Sequence, residues 1–206
     1  MLLFHIYLNG PVHKFANYYI SASLYISSVS ARNTQKIQRG ENELIKNEAK
    51  ITNDVEVNIN RAAIEHRATW MGLIFDELRK DGIDPEPAFR RAIRRCGNFH
   101  GKGFKEACGG SNDGKKFAGV FLGELGQKTF EMDVHEVTDS EVPVDFHYCA
   151  LLNAWKKQGF DDETCALLCD IAMDGDRGIA EEMGLTLDLT DTIAKGCATC
   201  KLCFHK

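Results

Sequence analysis

Cysteine density in the C-terminal third most constrains how this chain can fold. Six of the eight cysteines among its 206 residues lie between Cys149 and Cys203. Thiols this dense, in a chain without a clear export signal, favour a reactive or metal-binding pocket over a framework of disulfides. Hydrophobic residues make up 44% of the sequence, so a buried core is feasible and global disorder is not expected.

The charge distribution argues against nucleic acid as a partner. The net charge is -5, and charges of both signs are spread along the chain, whereas a nucleic-acid binder would carry a basic face. Four arginines between positions 90 and 95 have helical spacing. They fit either a solvated helix face or a site for an anion or acidic partner, and we interpret them as a solvated face.

Membrane insertion and export are not expected. No apolar run approaches the ~20 residues that cross a bilayer. Residues 1–8 are apolar, but no basic residue precedes them and the apolar centre of a signal peptide is missing. We therefore expect a cytoplasmic protein with reduced thiols.

The chain divides into an extension and one domain. Residues 1–32 lack clear periodicity, and residues 33–60 are polar enough for a linker or a loosely packed helix. We predict an N-terminal extension over residues 1–50 and an α+β domain over residues 51–206. In that domain, N-terminal helices pack on a small antiparallel sheet together with cysteine-bearing helices.

Hydrophobic periodicity and turn residues predict the individual elements. Helices are predicted over residues 59–80, 85–96, 117–130 with a break at Gly123 or Gly126, 149–159, 161–172 and 179–183. Strands are predicted over residues 132–137, 141–146, 185–190 and 199–204. Glycine-made turns are predicted from Gly97 to Gly114, and a further turn at Asp174-Gly175-Asp176. Pro143 predicts a sheet edge or a bulge for its strand.

The tail Cys197-x2-Cys200-x2-Cys203 has two readings. Its spacing resembles one limb of a zinc or iron–sulfur site. If the segment is a strand, however, side chains alternate, and Cys197 and Cys203 face away from Cys200. Buried, unreactive thiols are the competing interpretation.

The helix over residues 161–172 and the junction before residue 150 carry further candidates. Cys165 and Cys169 share one helical face, and we expect Cys165 to serve packing alone. Asp170 could act in acid–base chemistry, bind a divalent ion, or simply solvate the helix end. Cys149 opens a helix, where the dipole favours a thiolate, and His147 could be its base.

In these features the chain resembles the L-2-amino-thiazoline-4-carboxylic acid hydrolase family over residues 60–206. The matching features are the helix from Cys149 to Gly159, the pair Cys169-Asp170, the segment around residues 190–194, and the tail Gly196-x3-Cys200-x-Leu202-x-Phe204. The family tail usually reads Gly-Asp-x-x-Cys-Asp-Phe-x-Phe. Here Cys197, Lys201 and Leu202 stand in place of its two acids and its first aromatic residue.

The resemblance implies a hydrolase that opens a small cyclic amidine, a thiazoline, to an N-carbamoyl amino acid in cysteine metabolism. It implies a catalytic pocket containing Cys149, His147, Cys169, Asp170 and Cys200. Whether a divalent metal ion activates the attacking water stays open. Two alternatives remain, namely a metal or iron–sulfur protein that uses the C-terminal cysteines and a small-molecule sensor module.

Deletion of residues 1–50 tests the predicted division of the chain. We expect the remaining residues to stay folded and soluble, because the extension lacks the periodicity of a packed element. Expression and size-exclusion chromatography of the truncated chain measure this, and aggregation would show that the extension is an integral part of the fold.

Overall fold

A computed structural model describes residues 45–206, and the predicted extension lies outside them up to residue 44. Within the described residues, the helices are α1 (Val55–Lys80), α2 (Glu86–Ala107), α3 (Gly114–Phe121), α4 (Glu124–Phe130), α5 (Ala150–Lys157), α6 (Asp162–Ala172) and α7 (Asp174–Met183). The strands are β1 (Met132–Val134), β2 (Glu141–Phe146), β3 (Thr186–Asp191) and β4 (Cys200–His205), with a 3-10 turn at Ile193–Lys195.

The four strands form one antiparallel sheet in the order β1-β2-β4-β3. In its register, Val144 of β2 and Leu189 of β3 both lie opposite Leu202 of β4. One face of the sheet is buried, because strand side chains alternate and the inward ones are apolar. The α+β class predicted from the sequence is confirmed.

Aromatic side chains join α3 to the buried face of the sheet. The rings of Phe117 and Phe121 stack at 4.9 Å between centroids, and each meets Phe204 of β4 edge-on at 5.1 Å. Phe117 and Phe204 are fully buried. Offset and edge-to-face contacts of this kind stabilise a core beyond the burial of area alone.

The predicted turns between Gly97 and Gly114 are wrong over most of that length. Helix α2 continues to Ala107, through three glycines. The reason is a contact with α7: a methyl group on Gly97 would overlap the carbonyl oxygen of Gly175, and one on Gly178 would lie 2.5 Å from the carbonyl oxygen of Arg94. These glycines let two helix backbones approach closely, a use of glycine that local turn signals do not reveal.

Two smaller predictions also need correction. Asp174-Gly175-Asp176 is the first turn of α7 and not a separate turn, which suits its acids because the N-terminal end of a helix favours negative charge. Pro143 lies on β2, an interior strand. It is tolerated there because β1 has already ended at Val134, so no ladder bond to β1 needs an N–H from residue 143.

Residues 45–51 are held against the domain by side chains from α1 and from the turn before β1. Ile45 is buried in the core. The carboxylate of Glu131 accepts hydrogen bonds from the backbone N–H groups of Lys50 and Ile51 at 2.7 and 2.8 Å. The same oxygen pairs with buried Arg61 at 3.0 Å, and the Arg61 guanidinium lies over the Tyr148 ring at 4.3 Å. A deletion of residues 1–50 therefore also removes Ile45 and some of these contacts.

Two glycines of α2 give a matched test of the α2–α7 contact. Gly97→Ala forces a methyl group into the backbone of α7, so we expect a loss of about 1–3 kcal/mol in the free energy of unfolding. Gly103 has no neighbouring atom within 4 Å of the added methyl group, so Gly103→Ala should gain roughly 0.5–1 kcal/mol from helix propensity. Urea denaturation measures both, and equal effects would contradict the packing explanation.

Candidate active site

Three of the predicted cysteines come together from three different elements. Cys149 is the N-cap residue of α5, Cys169 lies in the last turn of α6, and Cys200 opens β4 on its buried face. Each of the other two thiols acts electrostatically on Cys169 and raises its pKa. The sequence alone could not show that these thiol groups belong to one cluster, because their convergence depends on the packing of α5 against α6 and of α6 against the 3-10 turn to which Cys200 is bound.

The Cys149 thiol sits at the positive end of α5. The residue is extended (φ -130°, ψ 110°), and its Sγ accepts a hydrogen bond from the backbone N–H of Leu152 at 3.5 Å. Burial raises the pKa of Cys149, while the N–H groups of Leu152 and Leu151 lower it in part. The thiol is therefore protonated at neutral pH and needs a base before it can act as a nucleophile.

Burial also keeps the other two thiols neutral. It raises the pKa of Cys169 well above its usual value and that of Cys200 to about 12. The Sγ of Cys200 accepts a hydrogen bond from the Ile193 N–H at 3.3 Å, which ties β4 to the 3-10 turn. These neutral thiols give the surroundings of Cys149 a low polarity.

Asp176 is a carboxyl with an unusual pKa that the sequence analysis did not single out. It lies in the first turn of α7, where burial raises its pKa to about 6, although its own backbone N–H, Arg177 and Arg67 lower it in part. Its charge raises the pKa of Cys149, so carboxyl and thiol share one electrostatic environment. A carboxyl with a pKa close to neutrality in a recess is a candidate general acid or base.

Cys149 and Asp176 both keep some solvent exposure while protein surrounds them closely. Both groups are therefore partly open to solvent, and the region around them, with Cys169 and Cys200, is called the recess below. A sequence signal for Asp176 did exist: Gly175 and Gly178 have the three-residue spacing of one helix face. Because that segment was predicted to be a turn, the helix that carries Asp176 was not predicted to begin there.

Asp170 is placed in an ion-pair network on the side of α6 that faces α2. Its carboxylate binds Arg90 and Arg177, each at 2.7 Å. Burial raises the pKa of Asp170, but the hydrogen bonds from Arg177 and Arg90 outweigh it and hold the pKa below its usual value. An ionised, doubly paired carboxylate is suited to holding α2, α6 and α7 together.

This network also corrects the interpretation of the arginine cluster. Arg90 and Arg94 bind acids on α6 and α7, with Arg94 reaching Glu181 at 3.0 Å. Arg91 and Arg95 are exposed, as a solvated face predicts. The cluster is thus half solvated surface and half a bridge between helices.

His147 is directed to a carboxylate on the neighbouring strand. Its Nε2 lies 2.7 Å from the carboxylate of Asp133 on β1. Within residues 45–206, no hydrogen bond joins the His147 imidazole to Cys149. A role for His147 as the base of Cys149 stays a prediction.

The tail cysteines follow the predicted strand alternation. Cys200 is buried with Leu202 and Phe204, whereas Cys203 lies on the other face of β4 and is partly exposed. In the described part of the chain, no group of three or more His, Cys, Asp or Glu side chains is arranged to hold a metal ion.

Two cations act electrostatically on groups of the recess, and one buried hydroxyl precedes the 3-10 turn that binds Cys200. Arg67 and Lys195 are exposed and make no ion pair with any described residue. Burial raises the pKa of both Asp176 and Cys169; the Arg67 charge offsets a part of the rise for Asp176, and the Lys195 charge a part of that for Cys169. The hydroxyl of Thr192 is buried beside Ile193 and has no hydrogen-bond partner among residues 45–206.

Fold and recess define an α+β protein whose buried thiols and one near-neutral carboxyl meet at the junction of helices and sheet. A family model described as L-2-amino-thiazoline-4-carboxylic acid hydrolase matches residues 61–204, and the chain belongs to this family. The resemblance seen in the sequence is thereby confirmed. Comparison with curated proteins and with solved structures gave no match. None of the helices described here is both long and apolar enough to cross a membrane.

The raised pKa of Asp176 predicts a pH-dependent effect on stability. Between its ordinary pKa and about 6, the unfolded chain ionises first, so native stability falls as the pH rises through this window. Asp176→Asn should therefore increase the free energy of unfolding by about 2–3 kcal/mol near pH 7.5 and change it little near pH 4. Urea denaturation at both pH values measures the difference.

Asp170→Asn is the matched control, because the pKa of Asp170 is shifted the other way. Its paired carboxylate stabilises the fold above its ordinary pKa, and that contribution is lost as the pH falls. This variant should be less stable than the parent at neutral pH. A destabilising effect of Asp176→Asn at neutral pH would contradict the raised pKa of Asp176.

Proposed function

We propose that the chain hydrolyses a small cyclic amidine that carries a carboxylate, with 2-amino-thiazoline-4-carboxylate as the model substrate. Water adds at the carbon of the C=N bond, the ring opens, and an N-carbamoyl amino acid is released. The single observation that carries the proposal is the electrostatic influence of Asp176, a carboxyl whose pKa burial raises to about 6, on the thiol of Cys149, in a chain that belongs to this hydrolase family.

In the proposed reaction Cys149 is the nucleophile and Asp176 is its base. A protonated amidine is a cation, so the Asp176 carboxylate can hold its N–H groups by charge-assisted hydrogen bonds. Entry of this cation also favours the thiolate of Cys149, because it offsets the burial that keeps the thiol neutral. Asp176 then accepts the thiol proton as Sγ attacks the ring carbon.

The bonds that change account for an N-carbamoyl product. Attack of Sγ on C2 gives a tetrahedral centre, which collapses with cleavage of the C2–S ring bond. The departing ring thiolate takes the proton from Asp176, and the substrate stays linked to Cys149 as an isothiourea. Water, deprotonated by Asp176, attacks the same carbon, and the C2–Sγ bond breaks. The departing Cys149 thiolate takes the proton back from Asp176, and the carbon left with one oxygen and two nitrogens is the carbamoyl group of the product. One water is consumed, and no oxidation or reduction takes place.

The substrate carboxylate needs a cation or N–H donors in the same recess. Arg67 and Lys195 are suited to this role, because both are exposed and neither pairs with a described acid. The buried Thr192 hydroxyl offers a further hydrogen bond. Cys169 and Cys200 supply surroundings of low polarity, where electrostatic contacts act more strongly than in water.

The first experiment is an assay of purified full-length protein with L-2-amino-thiazoline-4-carboxylate, in which N-carbamoyl-L-cysteine is quantified by mass spectrometry. Cys149→Ala should abolish turnover, because no nucleophile remains to form the isothiourea. Asp176→Asn should lower kcat by about 100-fold or more, because general-base catalysis is lost. Both variants should keep the far-ultraviolet circular dichroism of the parent.

Cys165→Ala is the control for removal of a buried thiol, because Cys165 lies on α6 and its Sγ contacts the Phe160 carbonyl. It should keep its turnover and lose roughly 1 kcal/mol of stability. Retained turnover in Cys149→Ala would exclude the covalent route. Tight binding of the thiazoline without product in the parent protein would instead favour a sensor module.

A further inference from the structure

Asn47 forms a paired contact with the backbone of Cys149. Its amide oxygen accepts a hydrogen bond from the Cys149 N–H at 2.8 Å, and its amide nitrogen donates one to the Cys149 carbonyl oxygen, also at 2.8 Å. The two residues are 102 positions apart in the chain. Asn47 also precedes residue 61, where the family match begins.

Both hydrogen bonds can form only while Cys149 is extended. At φ -130° and ψ 110°, the N–H and C=O of one residue point to the same side, as in a strand. In a helix these two groups point toward opposite ends of the axis, so a single side-chain amide cannot reach both. The paired contact therefore holds residue 149 as the N-cap of α5 and keeps it out of the helix.

The N-cap conformation determines where the thiol lies. It keeps Sγ over the first turn of α5, within 3.5 Å of the Leu152 N–H. If residue 149 became the first residue of the helix, its Cβ would turn and Sγ would leave this donor. The thiol would then lose its place beside Cys169, Cys200 and Asp176, which lie on other elements.

We infer that Asn47 is a positioning residue for the reactive thiol: its amide fixes the backbone of Cys149 so that Sγ stays aimed into the recess. The inference rests on the proposed function for the claim that this thiol is a nucleophile. It extends the site to a residue outside the matched region, on a segment that precedes α1.

The contact can be tested on its own because other residues hold the same segment in place. Ile45 is buried in the core, and Glu131 binds the N–H groups of Lys50 and Ile51. Removal of the Asn47 amide should therefore leave residues 45–51 docked and free only the backbone of Cys149.

Kinetics of full-length variants give the first readout. Asn47→Ala should lower kcat for 2-amino-thiazoline-4-carboxylate by about 100-fold, because a nucleophile displaced by an ångström loses most of its alignment. KM should stay within about twofold, because Arg67 and Lys195 still hold the substrate carboxylate. Asn47→Asp keeps the acceptor and loses the donor, so its kcat should lie between those of Asn47→Ala and the parent.

Ile45→Ala separates positioning from simple anchoring of the segment. It removes core packing from the same segment and leaves the Asn47 amide intact, so it should lower the melting temperature and keep kcat. Asn53→Ala, at an exposed position with no side-chain hydrogen bond to a described residue, should change neither quantity. An equal loss of kcat in Ile45→Ala and Asn47→Ala would overturn the inference.

A second readout does not need a substrate. Iodoacetamide alkylation of Cys149 is compared by peptide mass spectrometry with that of Cys96, an exposed thiol on α2. The ratio should rise several-fold in Asn47→Ala, because the thiol leaves its recess, and should stay unchanged in Asn53→Ala. An unchanged ratio in Asn47→Ala would overturn the inference. A raised ratio in a protein that turns over no cyclic amidine would refute the proposed function and leave the positioning intact.

Discussion

The close contact between α2 and α7 is the constraint on which the site depends. Gly97 and Gly178 allow the two backbones to touch, and Arg90 and Arg94 bind acids of α6 and α7 at the edge of the same contact. The first turn of α7 is thereby fixed, and Asp176 with it. A carboxyl can be held in a desolvated position only where the surrounding structure resists relaxation.

Desolvation is the physical effect that gives this recess its chemistry. It raises the pKa of all three thiols, and it raises that of Asp176 to about 6. Asp176 is the one of these four groups that titrates near neutrality. A desolvated carboxyl beside neutral thiols favours a cationic ligand, because the cation makes ionisation of the carboxyl and of one thiol less costly. A cyclic amidine meets that requirement.

The parts of the fold that the sequence predicts well are those with local causes. Asp161 caps α6 with its own side chain, and Gly159 and Gly184 end helices with a positive φ, as their sequence positions suggest. The glycines of α2 led to a wrong prediction of turns, because glycine favours turns by local propensity. Here they allow a contact with α7, a helix some 80 residues away in the chain. Propensity carries no information about such a partner.

The candidate site shows the same difference between features with local causes and features that depend on tertiary packing. Cys149, Cys169 and Cys200 are found from the sequence because the family pattern marks them, whereas their convergence needs the tertiary structure. Asp176 is missed because its unusual pKa comes from burial, which no short motif encodes. Asn47 is beyond reach of a family pattern, since it lies before the matched region and acts on the backbone of Cys149. Under the proposed function, the nucleophile is thus specified in two places: its identity by the residues around it in sequence, and its orientation by a distant segment that forms hydrogen bonds to its backbone.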